Sequence, residues 1–377
     1  MRVAHITPAF HPTAGGIETL LALLLPELKR KAGVEAAVLV GSPSIWRSEF
    51  DHEGIVESDE QGLKIYRFGR LGNTPADQAT THLRVSATVR ALLEKCSPEV
   101  VHIHGPSRLA YASYRSARAL GIPQVLHVHG SVRGQFSPAF IRMCREVDTV
   151  IAPSKYVAQS LYSDAGRKAF VHVYFNAIDS SIPLTEIRWG IHSNMLRLIA
   201  AGRLEANKGH DIAIHTVRRL LDRGFPASLS VFGEGPEFHA LEELAVSLGI
   251  RHLITFSNPI AHPQFLSELD KCDFVLVPSR DFEGFGLVAA EAASRAVVCI
   301  ASDIGGLREV VLHGVSGLLV PENDADAIVQ AVVDLVSDLP RFNAMRLAAR
   351  IHAASNMSLE ALASSILNVY TTLIKGT

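Results

Sequence analysis

The sequence predicts an α/β protein made of two doubly wound, parallel-sheet domains. Three observations lead there. Short β-rich runs alternate with helical patterns along the chain, as strands joined by crossover helices do. The alternation occurs twice, on either side of an aperiodic, proline-containing stretch at residues 178–194, IDSSIPLTEIRWGIHSN. The chain has 377 residues, 48% of them hydrophobic, enough for about two domains with sizeable cores. The expected division is a first domain at 1–177, a linker at 178–194, a second domain at 195–355 and a terminal segment at 356–377.

Composition removes several classes of function. A formal net charge of −2 gives no global polycation for nucleic acid. Cys96, Cys144, Cys272 and Cys299 lie far apart without a CxxC pair, which reads as reduced thiols in a cytoplasmic protein rather than a disulfide or zinc framework. Met1 leads directly into the strand-like RVAHIT, so no secretory signal is read. The apolar run Leu20 to Leu25 is too short to span a bilayer. The expectation is a cytoplasmic protein that at most lies against the inner face of a membrane.

In the first half, strands are expected near 2–7, 36–40, 63–68, 100–103, 124–128, 149–151 and 171–173. Ligands of such sheets bind beyond the carboxyl ends of the strands. Gly15 and Gly16 open a helix at such a place, where a diphosphate could approach the backbone, although a plain flexible turn reads the same way. The helix ends Lys29-Arg30-Lys31, which suits a helix C-terminus and leaves open a weak contact with anionic headgroups. Two HxH pairs follow strands, His102 with His104 and His127 with His129; residues two apart share one strand face. These could be core imidazoles or the metal ligands of a hydrolase, yet no carboxylate follows either pair. Ala152-Pro153-Ser154 reads as a strand end passing to a capped helix.

In the second half, strands are expected near 196–201, 228–232, 253–256, 273–277, 297–300 and 317–320. Arg203 and Lys208 sit in a glycine-flanked loop after the first of these, where two cations suit a diphosphate or are surface charges. Gly233 and Gly235 make a turn that allows close approach of a nucleotide or is simply tight. The run FVLVP feeds the turn Glu283-Gly284-Phe285-Gly286 and then a helical pattern from Leu287, a helix start able to receive an anion, although a capping turn with a surface glutamate reads the same way. Glu283 lies in that turn and Glu291 eight residues on. Carboxylates there can accept from paired sugar hydroxyls. Asp324-Ala325-Asp326 precedes a helical pattern, so it reads as an acidic helix N-terminus and not a metal site. Residues 358–374 form one amphipathic helix.

Taken together, Glu283-Gly284-Phe285-Gly286-Leu287, Glu291-Ala292, Ser302-Asp303-Ile304-Gly305-Gly306 and Glu309 resemble the donor-site signature of the retaining glycosyltransferases of family four, which have the GT-B fold. The family's Gly-Arg and Lys-Gly elements match at Gly202-Arg203 and Lys208-Gly209. The resemblance implies two Rossmann-like domains with an interdomain cleft, the last helix packing back on the first. It implies transfer of a hexosyl group, with retention, from a UDP- or GDP-linked sugar to a hydroxyl acceptor, in glycoconjugate, polysaccharide or glycosylated-metabolite synthesis. No cofactor and no essential metal are expected.

By the same resemblance Arg203, Lys208, Gly15, Gly16 and the helix start at 284–287 hold the diphosphate, Glu283 the sugar and Glu291 the ribose. Gly233 and Gly235 approach the nucleotide, and Phe256-Ser257-Asn258 with the helix after Pro263 flank the base. His129 takes the position of the family's active-site histidine, with His104 on the acceptor side. His129, Glu283, Arg203 and Lys208 are the residues expected to carry catalysis. The chain departs from the family at Ala296 and Val298, where a Gly and a Pro are usual, and at Ala177, where a Gly is usual. Two other readings stay open: a metal-dependent hydrolase on the HxH pairs, and a non-catalytic sugar-nucleotide-binding protein. A dehydrogenase fails for want of G-x-G-x-x-G after the first strand.

Overall fold

The structure, a computed structural model, describes residues 1–8, 10, 16–41, 55–60, 62–68, 75–105, 107–129, 137–165, 171–178, 190–191 and 193–376. It divides into two compact units, one of Met1–Phe175 with Leu359–Thr377 and one of Asn176–Ser358.

The first unit is built from β1 (Arg2–Thr7), α1 (Gly16–Ala32), β2 (Glu35–Val40), β3 (Ile55–Glu60), β4 (Leu63–Phe68), α2 (Pro75–Cys96), β5 (Val100–His104), α3 (Arg108–Ala119), β6 (Gln124–His127), α4 (Pro138–Glu146), β7 (Thr149–Ala152), α5 (Lys155–Ala165) and β8 (Val171–Val173). Its sheet runs β3-β4-β2-β1-β5-β6-β7-β8. Only the β3–β4 pair is antiparallel among the described pairings. Strand order reverses between β1 and β5, so loops leaving these two diverge and open a crevice at their carboxyl ends. The central strands β1, β5, β6 and β7 are buried along almost their whole length, as parallel strands covered on both faces must be.

β3 is the strand that sequence pattern does not announce. Its segment IVESDE is half charged and buries little. It forms because it lies at the sheet edge, paired back on β4 across the turn at Gly62, where acidic side chains discourage further pairing.

The second unit holds β9 (Leu196–Ala201), α6 (His210–Asp222), β10 (Ala227–Phe232), α7 (Phe238–Ser247), β11 (Ile254–Ser257), α8 (His262–Leu269), β12 (Phe274–Val277), α9 (Leu287–Ser294), β13 (Val298–Ser302), α10 (Leu307–Val310), β14 (Gly317–Val320), α11 (Ala325–Ser337) and α12 (Leu339–Asn356). Its six-stranded parallel sheet runs β11-β10-β9-β12-β13-β14, and the order reverses between β9 and β12. Apart from β3, every described strand lies within two residues of its expected place. Each unit has its own apolar core, one around Leu39, Ile103 and Leu126, the other around Leu198, Leu276 and Ile300.

The last helix, α13 (Leu359–Lys375), belongs to the first unit and packs on α1. Leu362, Ala363, Ile366, Val369 and Tyr370 form its buried stripe, and Lys31 on α1 pairs with Glu360 at 2.9 Å. Asp324 caps α11, its carboxylate accepting from the Ala327 amide at 2.9 Å, while Asp326 in the first turn pairs with Arg219. All four cysteines are free thiols. Among the described residues no helix is long and apolar enough to cross a membrane.

Candidate active site

In the second unit the loops after β9, β12 and β13 are bound to one another at the place where the strand order turns. Gly209 ends the β9 loop at φ +67°, and a Cβ there would overlap the Pro278 carbonyl oxygen. Its lack of a side chain therefore lets this loop lie against the end of β12. Arg280 fastens the contact from the other side. Its amide donates to the Asn207 carbonyl at 2.7 Å, and its guanidinium donates to the Ala206 carbonyl at 2.8 Å, pairs with Asp211 at 2.6 Å and reaches Asn323.

This docking brings Lys208 to Glu283. The ammonium lies 2.7 Å from the carboxylate, and the buried Ser279 hydroxyl donates to the same oxygen at 3.2 Å. Arg203 behaves differently: its exposed guanidinium pairs with Glu205 at 2.8 Å.

The two separated parts of the sequence signature also meet in space. Gly306 donates its amide to the Glu283 carbonyl at 2.8 Å. A Cβ at Gly305 or Gly306 would overlap the carbonyl oxygens of Glu283 and Gly284, so the paired glycines are what allow backbone to rest on backbone. Gly286 caps α9 at φ +90°, Phe285 is buried, and Leu287 begins the helix half-buried. Glu291 is nearly buried on α9 and accepts a hydrogen bond from His262 Nε2 at the start of α8, at 2.9 Å. Gly233 and Gly235 pack against the backbone of Gly202 and Leu204, so the β9 loop occupies the space that a Cβ at either would take.

In the first unit, parallel register puts His5 opposite His102 and His104 opposite His127. With His129 they make a cluster of five imidazoles at the ends of β1, β5 and β6. His5, His102, His104 and His127 are fully buried. His104, expected on the acceptor side, has both ring nitrogens engaged, Nε2 with His5 at 3.1 Å and Nδ1 with His129 at 2.9 Å. His102 Nδ1 meets the Tyr370 hydroxyl at 2.5 Å. Burial holds His5 and His129 at a pKa of about 3, and desolvation with mutual repulsion holds the other three well below the usual value. Two sets, His5-His102-His104 and His104-His127-His129, have ligand atoms within 4.8 Å of one another, and no carboxylate joins either set among the described residues. Gly16 begins α1 and is exposed; Gly15 lies outside the described residues.

Sequence reasoning missed His5, Ser279, Arg280, His262 and Tyr370. His5 carried a signal, an imidazole within the apolar strand run RVAHIT; the other four are ordinary residues until the fold gives them partners.

Two doubly wound parallel sheets, the second with basic and glutamate-bearing loops joined at its turning point, define the GT-B class of glycosyltransferases. The profile described as Glycosyltransferase Family 4 matches residues 14–182, and the one described as Glycosyl transferases group 1 matches residues 186–352. The chain belongs to the family-four glycosyltransferases.

Among relatives, the GDP-mannose-dependent alpha-(1-6)-phosphatidylinositol monomannoside mannosyltransferase of Mycolicibacterium smegmatis is 27% identical over 371 residues, 93% of each chain. The D-inositol 3-phosphate glycosyltransferase 1 of Catenulispora acidiphila is 35% identical over 198 residues, 50% of this chain, and that match spans about half of the relative's length, 47%. Among solved structures, Anabaena HepE in complex with UDP-glucose superimposes with a TM-score of 0.77 at 18% identity, covering 99% of this chain and 100% of the other, a likeness of fold.

Proposed function

We propose that the protein transfers a hexosyl group from a UDP- or GDP-linked sugar to a hydroxyl acceptor, with retention of configuration and without an essential metal. The observation that carries this reading is the Lys208–Glu283 pair, held at 2.7 Å where the second sheet's strand order turns. A cation and a carboxylate side by side suit the two halves of a sugar diphosphate. Lys208 turns to the phosphates, and Glu283, relieved of it, accepts from sugar hydroxyls.

As the glycosidic bond to the diphosphate breaks, negative charge grows on the leaving group beside an oxocarbenium-like sugar. Lys208, released from Glu283, Arg203, released from Glu205, and the start of α9 meet that charge. Glu291, steadied by His262, serves the ribose. The first unit supplies the acceptor side and His129. That ring stays neutral near pH 7 because burial lowers its pKa to about 3, so it serves as a hydrogen-bonding group without adding charge. One relative's name specifies GDP-mannose and one similar structure holds UDP-glucose, which supports both bases as donors to try.

Thermal shift against uridine, guanosine and adenosine diphosphates identifies the base, since a ligand of the native state raises apparent stability by mass action. With the donor so chosen, Lys208→Ala and Glu283→Ala should each lose about 10²–10³-fold in kcat. Near-normal turnover by either folded variant sinks the assignment. A purified protein carrying stoichiometric metal, with hydrolysis unlinked to nucleotide sugars, would favour the hydrolase reading instead.

A further inference from the structure

The five clustered histidines are more than one active-site imidazole requires, and their hydrogen bonds have a direction to settle. A neutral imidazole carries one N–H and one lone pair. Burial keeps these rings neutral at ordinary pH. His104 sits in the middle of a line, its Nε2 at His5 Nδ1 and its Nδ1 at His129 Nε2. It therefore donates to one neighbour and accepts from the other. If it donates to His129, then His5 must donate to it and His129 must hold its proton on Nδ1. If it accepts from His129, all three protons move to Nε2. Either way the three rings carry the same tautomer. Of the five rings, His129 is the one that keeps some exposure, and the line occupies its Nε2.

We propose that His104 and His5 are positioning residues: the hydrogen-bonded line His5–His104–His129 fixes the ring orientation of His129, ties its tautomer to theirs and leaves Nδ1 as the atom it offers to substrate. The functional half of this rests on the proposed role of His129 in transfer. Neighbouring rings brace the line. His102 stacks on His104 with centroids 4.3 Å apart and is itself held by Tyr370 of α13, while His127 stacks on His129 at 4.0 Å. The register of three parallel strands thus converts one partly exposed imidazole into the end of an ordered array.

The test has two arms. In the unliganded protein, long-range ¹⁵N–¹H spectra near pH 7.5 report the tautomer of each ring. The expected result is a single shared tautomer for His5, His104 and His129; mixed tautomers among the three overturn the proposal. In the second arm, release of free hexose from UDP-glucose or GDP-mannose is measured for His104→Leu, His104→Gln, His129→Ala and the His104→Leu/His129→Ala double variant.

His104→Leu should lower kcat/KM by about tenfold or more, as loss of an orienting partner does. His104→Gln, whose amide can both donate and accept, should restore most of it. The leucine effect should vanish when His129 is already alanine. An effect of equal size with and without His129 overturns the proposal, as does a folded His104→Leu variant with unchanged kcat/KM. Should His104→Leu not fold, His104→Gln and the wild-type tautomers still decide. If His129→Ala alone transfers normally, the role of His129 in the reaction falls, while the tautomer arm still judges the line.

Discussion

Acidification should weaken the first unit more than the second, by an amount that follows from its histidines. Folded, His5 and His129 ionise at about 3; unfolded, an imidazole ionises at about 6.5. Above the unfolded value neither state binds the proton and stability is at its plateau. As pH falls through about 6.5, the unfolded chain takes up protons that the folded chain refuses, so stability declines until the folded value is reached. Each such ring costs about 1.4 kcal/mol at about pH 5.5, and the pair about twice that.

His102, His104 and His127 are depressed in the same direction and add to the loss. In the second unit His210, lowered to about 4 chiefly by burial, acts alone among the resolved shifts of histidine there. Against a domain stability of roughly 5–15 kcal/mol, the first unit's loss is large. Hydrogen exchange read separately for the two units, with guanidinium melts at about pH 7.5, 6.5 and 5.5, measures it. Equal losses in both units, or a flat profile down to about pH 5.5, would show that the rings are hydrated or charged in the folded state and refute the reasoning.

Three further outcomes follow from single sites. Among the described residues His127 has no hydrogen-bond partner at either ring nitrogen, so His127→Leu should be neutral to stabilising near pH 7 and should flatten the acid dependence, as paired melts will show. Gly306→Ala drives a methyl into the Gly284 carbonyl and should cost about 1–3 kcal/mol by thermal melt while weakening the nucleotide diphosphate shift. Ala296→Val places a β-branched residue at φ +55° in a buried turn and should cost about 2 kcal/mol or more; an unchanged melting temperature would contradict the left-handed backbone there.

That last position shows how far a departure from family pattern could be read. The sequence has Ala296 where the pattern it resembles usually has Gly, and the backbone there is left-handed after all, with the Ala296 carbonyl accepting from buried Arg346 at 2.6 Å. Tertiary contact holds alanine in a conformation its own preferences resist. At Ala177, the other such position, φ is not positive, and the substitution carries no strain of that kind.

The sequence by itself determined whatever depends on local period and turn chemistry: alternating strands and helices, the aspartate cap at 324, the terminal amphipathic helix, and the loops whose glycines and charges suit a sugar diphosphate. Those features are written in neighbours a few residues apart. Only the tertiary structure decided which distant residues became partners. Lys208 and Glu283 stand 75 residues apart yet share a hydrogen bond, whereas Arg203, five positions from Lys208, turns to Glu205. The histidines meet because three parallel strands come into register at long range, and no spacing within one strand specifies which strand lies beside it.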